Sequence, residues 1–169
     1  METKQATHGF LSAQEVAPCL PDGNRLSKGP VAVIECVQDI PCNPCEKACP
    51  FKAITVGLPI TTLPSLDSEK CKGCGVCIAQ CPGLAIFVVD ASRPGSEGTV
   101  QMPYESFPLP RVGEEVAACD RRGNRVATGK VEKVLTSAAQ DHTAVVTVSV
   151  AKELVNVVRA IRTLGREDN

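Results

Sequence analysis

The sequence predicts an α+β chain in which a doubled, cysteine-bearing unit over residues 31–92 is followed by a small antiparallel β module with a C-terminal helix over residues 111–169. Three observations carry this reading. Residues 42–54 repeat at 74–86 with a constant offset of 32, which marks two copies of one supersecondary unit. Short β-branched runs separated by turn residues fill the stretch from Val112 to Val150. At the end, Leu154, Val157, Val158, Ile161 and Leu164 recur every three or four positions, the period of an amphipathic helix.

Taken in order, residues 1–30 are polar and turn-rich, with Pro18, Pro21, Gly23, Gly29 and Pro30, and are expected to form an irregular arm. The run VAVIE from Val31 to Glu35 has the β-branched bias of a buried strand. Eight of the ten cysteines then fall between Cys36 and Pro82, so the chemistry is expected there. Residues 93–110 hold four prolines and two glycines, which predicts a connector without regular structure. Beyond it, EEVAAC, the turn DRRGN, RVATGKVEKVL and TAVVTVSV read as three or four short antiparallel strands.

Composition narrows the functions. Of 169 residues 43% are hydrophobic and 22% charged, an ordinary globular balance, so a core must form. Only 3% are aromatic and the net charge is -1, which excludes nucleic-acid binding through stacking or phosphate neutralisation. No apolar run reaches the roughly 18 residues of a membrane span, and no signal peptide is seen at the start. A cytoplasmic chain is expected, in which thiols stay reduced and clustered cysteines bind metal. There is no Gly-rich dinucleotide loop, phosphate loop or Ser/His/Asp arrangement, so the chain is expected to be no enzyme by itself.

The offset of 32 lays Cys42 on Cys74, Cys45 on Cys77, Cys49 on Cys81, Pro50 on Pro82, Ala53 on Ala85 and Ile54 on Ile86. The second copy reads Cys71-x2-Cys74-x2-Cys77-x3-Cys81-Pro82, the spacing of a bacterial iron–sulfur run. Three close thiolates on a tight loop supply three corners of a cubane, and the fourth cysteine points elsewhere. Gly73 and Gly75 let the loop bring its backbone N–H groups toward the sulfides. Zinc is the competing occupant, but zinc sites use two separated cysteine pairs rather than an even triple closed by Cys-Pro.

Over about Val31 to Asp90 the sequence resembles two-cluster bacterial-type ferredoxins, most specifically at Cys71 to Pro82. The resemblance implies a ferredoxin-like fold of two strand pairs and two short helices, holding two [4Fe-4S] clusters. It also implies that the fourth cysteine of each run crosses over, so that Cys71, Cys74, Cys77 and Cys49 hold one cluster. The first run departs from the pattern, reading Cys36-x5-Cys42-x2-Cys45-x3-Cys49-Pro50, with Asp39 at the position equivalent to Cys71. Three readings stand. A longer loop, stiffened by Pro41 and Pro44, lets Cys36 join Cys42, Cys45 and Cys81 around a second [4Fe-4S] cluster. Alternatively Asp39 is the ligand, a harder and weaker one for iron. Or the site holds a three-iron cluster, or none.

Cys19 and Cys119 lie outside both runs and read as buried or half-buried thiols without a role. His8 and His142 read as solvated, and Arg121, Arg122, Arg125, Lys130 and Lys133 as a solvated strand-and-turn face, with a docking patch as the bolder alternative. About sixty residues suffice for two clusters, so the surplus points to assembly. The arrangement, including GPVAVIECVQDIPCNPCEKACP and the trailing strands, resembles small iron–sulfur subunits of multisubunit FAD-dependent dehydrogenases of the amino-acid, hydroxyproline or opine type. That resemblance implies an electron-transfer role and FAD-containing dehydrogenase subunits as partners, with a [2Fe-2S] subunit as a further one. A freely diffusing ferredoxin and a redox-sensing or scaffold cluster protein are the other two readings.

Overall fold

The apolar runs of the cysteine-rich region lack alternation because their strands are covered on both faces. The computed structural model describes residues 9–136 and 143–164. In chain order the elements are α1 (Ala13–Val16), α2 (Gly23–Ser27), β1 (Val31–Ile34), α3 (Pro44–Ala48), β2 (Ile54–Thr55), β3 (Ser65–Leu66), α4 (Val76–Ala79), β4 (Ile86–Asp90), β5 (Glu97–Tyr104), β6 (Glu115–Cys119), β7 (Arg125–Leu135), β8 (Ala144–Ala151) and β9 (Ala160–Thr163). Seven strands form one antiparallel sheet in the order β1-β4-β5-β8-β7-β6-β9, and β2 pairs with β3 separately.

The sheet separates two cores. Val31 and Val33 of β1 and Phe87 and Val89 of β4 pack with Val100, Met102, Val116, Val131, Val146, Val148 and Ile161. The alternate residues, Ala32, Ile34, Ile86 and Val88, face the cysteine-bearing lobe, where they meet Cys45, Ile54, Cys77, Ile78 and Ala79. Side chains alternate along a strand, so a pair of strands sandwiched between two cores must be apolar at every position. The strand pair β1–β4 therefore belongs both to the lobe and to the large sheet.

Three expectations need correction. The C-terminal segment is not a helix: a single 3-10 turn at Lys152–Leu154 leads to β9, which pairs with β6 through Ala118↔Ile161. Val155, Val158 and Ile161 are the buried positions, and their spacing of three imitates a helical stripe while the chain makes a turn and then a strand. The deciding force is tertiary, because β6 would otherwise expose an unpaired ladder edge. The 93–110 segment is no connector, since β5 runs through it and lies between β4 and β8. Pro103 is tolerated because the β4–β5 pairing closes at Val88↔Gln101, short of residue 103, which pairs only with Val145 of β8. Finally, the N-terminal arm holds two capped helical turns: Ser12 and Glu15 form a reciprocal capping box, and Asp22 Oδ1 accepts the Arg25 N–H at 2.7 Å.

Candidate iron–sulfur site

The 32-residue repeat is expressed in the backbone. Helices α3 and α4 begin at Pro44 and Val76, strands β2 and β4 at Ile54 and Ile86, and each pair is one repeat apart. The thiols follow the same rule: Ala53 N–H donates to Cys49 Sγ at 3.3 Å, and Ala85 N–H to Cys81 Sγ at 3.5 Å. Backbone donors aimed at sulfur stabilise thiolate over thiol and tune whatever the sulfur binds.

The loop before α4 is held by close contact. Gly73 has φ +62°, and a Cβ there would lie 2.5 Å from the Pro30 Cβ. Gly75 has φ +79°, and a Cβ there would lie 2.7 Å from Gln101 Oε1. Only glycine fits such positions. The tight approach draws the loop onto β1, where Ala32 N–H donates to Cys71 Sγ at 3.4 Å and Gly73 N–H to the same sulfur at 3.5 Å.

Eight cysteines line two cavities. One, of about 140 Å³, is walled by Cys36, Cys42, Cys45 and Cys81 together with Ile34, Ile40 and Ile86. The other, a tight cleft of about 10 Å³, is walled by Cys49, Cys71, Cys74 and Cys77 with Phe51 and Val88. Cys49 and Cys81 are thus exchanged between the runs. Asp39 is exposed and lines neither cavity, whereas Cys36 lines the first. Among the described residues no three His, Cys, Asp or Glu side chains gather closely enough to hold a single metal ion.

Electrostatics sorts the thiols in the same way. Burial pushes Cys77 up to about 12, and Cys71, Cys74 and Cys49 add to the rise. Burial likewise pushes Cys45 up to about 11, reinforced by Cys81, Cys42 and Cys36. Cys42 is raised by burial, then by Cys81 and Cys36. Buried thiols that raise one another ionise together only around a cationic centre, and a four-thiolate donor set of this kind suits an iron–sulfur core. The residues fit the group.

Outside the two cavities, Cys19 is half-buried and Cys119 buried, as the sequence reading expects; Cys119 Sγ donates to Ala117 O at 3.6 Å. Burial raises Cys19, followed by the nearby Glu35 and, with a smaller effect, Cys36, and its side chain packs against the core of the large sheet. Arg121 departs from the expected solvated face, because its Nε donates to Glu35 Oε2 at 2.8 Å. His8 and His142 lie outside the described residues. Sequence reasoning missed Glu35, Arg159 and Arg25, each buried. The available signal was Glu35 itself, an acid ending an apolar strand beside a candidate ligand.

Comparison with known proteins agrees with this chemistry. The 4Fe-4S binding domain family matches residues 64–87, which span Cys71, Cys74, Cys77 and Cys81. The chain is 49% identical over 47 residues to a subunit of the ion-translocating oxidoreductase complex of Methanosarcina acetivorans, covering 28% of this chain and 17% of that protein. It is 47% identical over 49 residues to a subunit of the Na(+)-translocating ferredoxin:NAD(+) oxidoreductase complex of Acetobacterium woodii, covering 29% and 14%. It is also 31% identical over 106 residues to Protein Pixie of Drosophila melanogaster, covering 53% and 17%. The chain therefore spans less than a fifth of the length of these relatives. No solved structure matches it. No helix among the described residues is long and apolar enough to cross a membrane. The chain carries a ferredoxin-like 4Fe-4S binding domain.

Proposed function

We propose that this chain is the electron-transfer subunit of a multisubunit FAD-dependent dehydrogenase and that it holds two [4Fe-4S] clusters. Cys36, Cys42, Cys45 and Cys81 would hold one, and Cys71, Cys74, Cys77 and Cys49 the other. The observation that carries the reading is the sorting of eight thiols into two cavities with Cys49 and Cys81 exchanged. Each cluster, when bound, takes up and gives one electron at a time.

The chain's own part is spacing and insulation. Cys45 and Cys49 are four residues apart yet face different cavities, as do Cys77 and Cys81. Each short helix thus carries one thiol of one cavity and ends before a thiol of the other, which keeps the two proposed sites adjacent. Such adjacency suits sequential one-electron steps between a two-electron flavin and an acceptor. The large sheet supports the assembly reading, because a diffusing carrier has no need of β5 to β9. Two of the relatives are named as subunits of oxidoreductase complexes, which supports a partnered role here. The partners in this reading are FAD-containing subunits and a [2Fe-2S] subunit, in the reducing cytoplasm, and the chain performs no substrate chemistry itself.

The test is anaerobic affinity purification from the native host, with mass spectrometry and a flavin spectrum of what copurifies. Stoichiometric flavoprotein subunits are expected. A brown chain recovered alone and flavin-free overturns the assembly reading in favour of a diffusing ferredoxin.

A further inference from the structure

Arg25 is 7% exposed, and its guanidinium is spent on neutral acceptors. Nε donates to Ser68 O at 2.7 Å, Nη1 to Gly29 O at 2.9 Å, and Nη2 to Pro30 O at 3.1 Å and Cys71 O at 2.9 Å. The carboxylates around it are engaged elsewhere: Asp22 accepts the Arg25 backbone N–H, Asp67 pairs with Lys70, and Glu69 pairs with Lys28. A buried cation needs an opposite charge or it is costly. Carbonyl dipoles meet part of that need.

A [4Fe-4S] cluster on the adjacent thiols would supply the remaining charge. The Cys71 carbonyl oxygen that Arg25 holds is four bonds from the Cys71 sulfur, and the Gly29 and Pro30 carbonyls belong to the strand entry against which Gly73 is pressed. A [4Fe-4S] core with four thiolates is a net anion, and reduction makes it one charge more negative. A fixed cation within the low-dielectric wall favours the reduced state. We propose that Arg25 raises the reduction potential of the cluster held by Cys49, Cys71, Cys74 and Cys77, acting as a positioning residue through charge rather than as a ligand. This rests on the proposed cluster reading for that cavity.

The experiment is a redox titration of the full chain, anaerobically purified, followed by electron paramagnetic resonance, with iron analysis alongside. In Arg25→Gln one wave falls by at least tenfold in the ratio of reduced to oxidised form at fixed potential, about 59 mV for one electron, while any other wave stays in place. Arg25→Lys, which keeps the charge and loses the fork, stays near the native value. Asp22→Ala, which loosens the α2 cap, keeps the Arg25 charge and removes a neighbouring carboxylate, does not lower the wave. An unmoved wave in Arg25→Gln overturns the proposal, and so does an equal fall in all three variants, which would mean packing or water access. Should Arg25→Gln lose its iron, Arg25→Lys and Asp22→Ala decide: potentials no lower than native support the proposal and a tenfold fall in either overturns it. A native chain with no reducible wave refutes the cluster reading itself, a result distinct from a wave that is present and fixed.

Discussion

Arg159 Nε donates to Glu35 Oε1 at 2.7 Å, joining residues 124 positions apart in sequence. Arg121 donates to both oxygens, Nε to Oε2 and Nη2 to Oε1, and Arg159 lies over the Phe87 ring at 4.9 Å. The first strand of the sheet is thereby tied to the last, and the residue preceding the candidate ligand Cys36 is tied to the C-terminal module. Burial alone would raise the Glu35 carboxyl, but hydrogen bonds from Arg121 and the charge of Arg159 outweigh it and hold Glu35 below the ordinary carboxylate range. Burial pushes Arg159 down to about 10, with Glu35 opposing the change.

Removing one member of a buried ion pair leaves its partner uncompensated. Glu35→Gln is therefore expected to destabilise the fold by about 3–5 kcal/mol in chemical denaturation. The sign of the pH dependence follows from the lowered carboxyl. The stabilisation is complete above the ordinary glutamate range near pH 4 and is lost as pH falls through the lower folded value. The gap between native and Glu35→Gln stability should close on acidification below that range and stay constant from pH 6 to 8.

Iron and acid-labile sulfide should each number about eight per chain in the anaerobically prepared protein. Cys36→Ala should halve both, because Cys36 lines the first cavity. Asp39→Ala should leave both unchanged, since Asp39 is exposed and outside the cavity wall. Cys19→Ala and Cys119→Ala should also retain the full content. A native value of about four would sink the two-cluster reading.

Much of the lobe was legible because covalent chemistry and repetition leave unambiguous marks. The offset of 32 foretold two equivalent units, whose helices start at Pro44 and Val76, and the cysteine spacing marked the thiols that line the cavities. The sheet was legible in type but not in extent. Leu154, Val157, Val158, Ile161 and Leu164 fit a helical stripe, yet of these only Val158 and Ile161 are buried, and the free edge of β6 draws the segment into a turn followed by a strand. Pro103 argued against β5 as an interior strand, yet it sits beyond the last β4–β5 pair, Val88↔Gln101. The buried arginines were illegible, since nothing local distinguishes Arg25 or Arg159 from solvated neighbours. Beside nearby carbonyls, each is held by residues far away in sequence: Glu35 for Arg159, Ser68 and Cys71 for Arg25.

Gly73 provides a test of the loop geometry. Its positive φ disfavours any L side chain by about 1–3 kcal/mol, and a Cβ would also lie 2.6 Å from the Pro30 carbonyl carbon, which is backbone and has little room to yield. Gly73→Ala should push the loop off β1, lengthen the Ala32 N–H contact to Cys71 Sγ and reduce iron occupancy. The expected readings are iron falling toward about four per chain and a lowered melting temperature. Gly83→Ala, where a Cβ meets nothing within 4 Å, should change neither.

Removal of iron should act on one core and spare the other. The lobe core contains the proposed ligand cysteines Cys45 and Cys77, with Cys36, Cys49, Cys71 and Cys81 packed against it, so without a cationic centre its thiols become loosely packed side chains. The core inside the large sheet takes its buried side chains from β1 and β4 through β9, with no proposed ligand among them and only Cys71 at its margin. Chelation under reducing conditions should therefore open residues between β1 and β4 to proteolysis while the β signal in circular dichroism persists. In the freshly prepared apoprotein, exposed Cys74 should alkylate first at pH 8. Cys45 and Cys77, pushed up to about 11 and about 12, should react last, because the thiolate is the nucleophile. Simultaneous loss of the lobe and the sheet on chelation would show instead that the clusters hold the whole chain together, and that β1 and β4 transmit their loss to both cores.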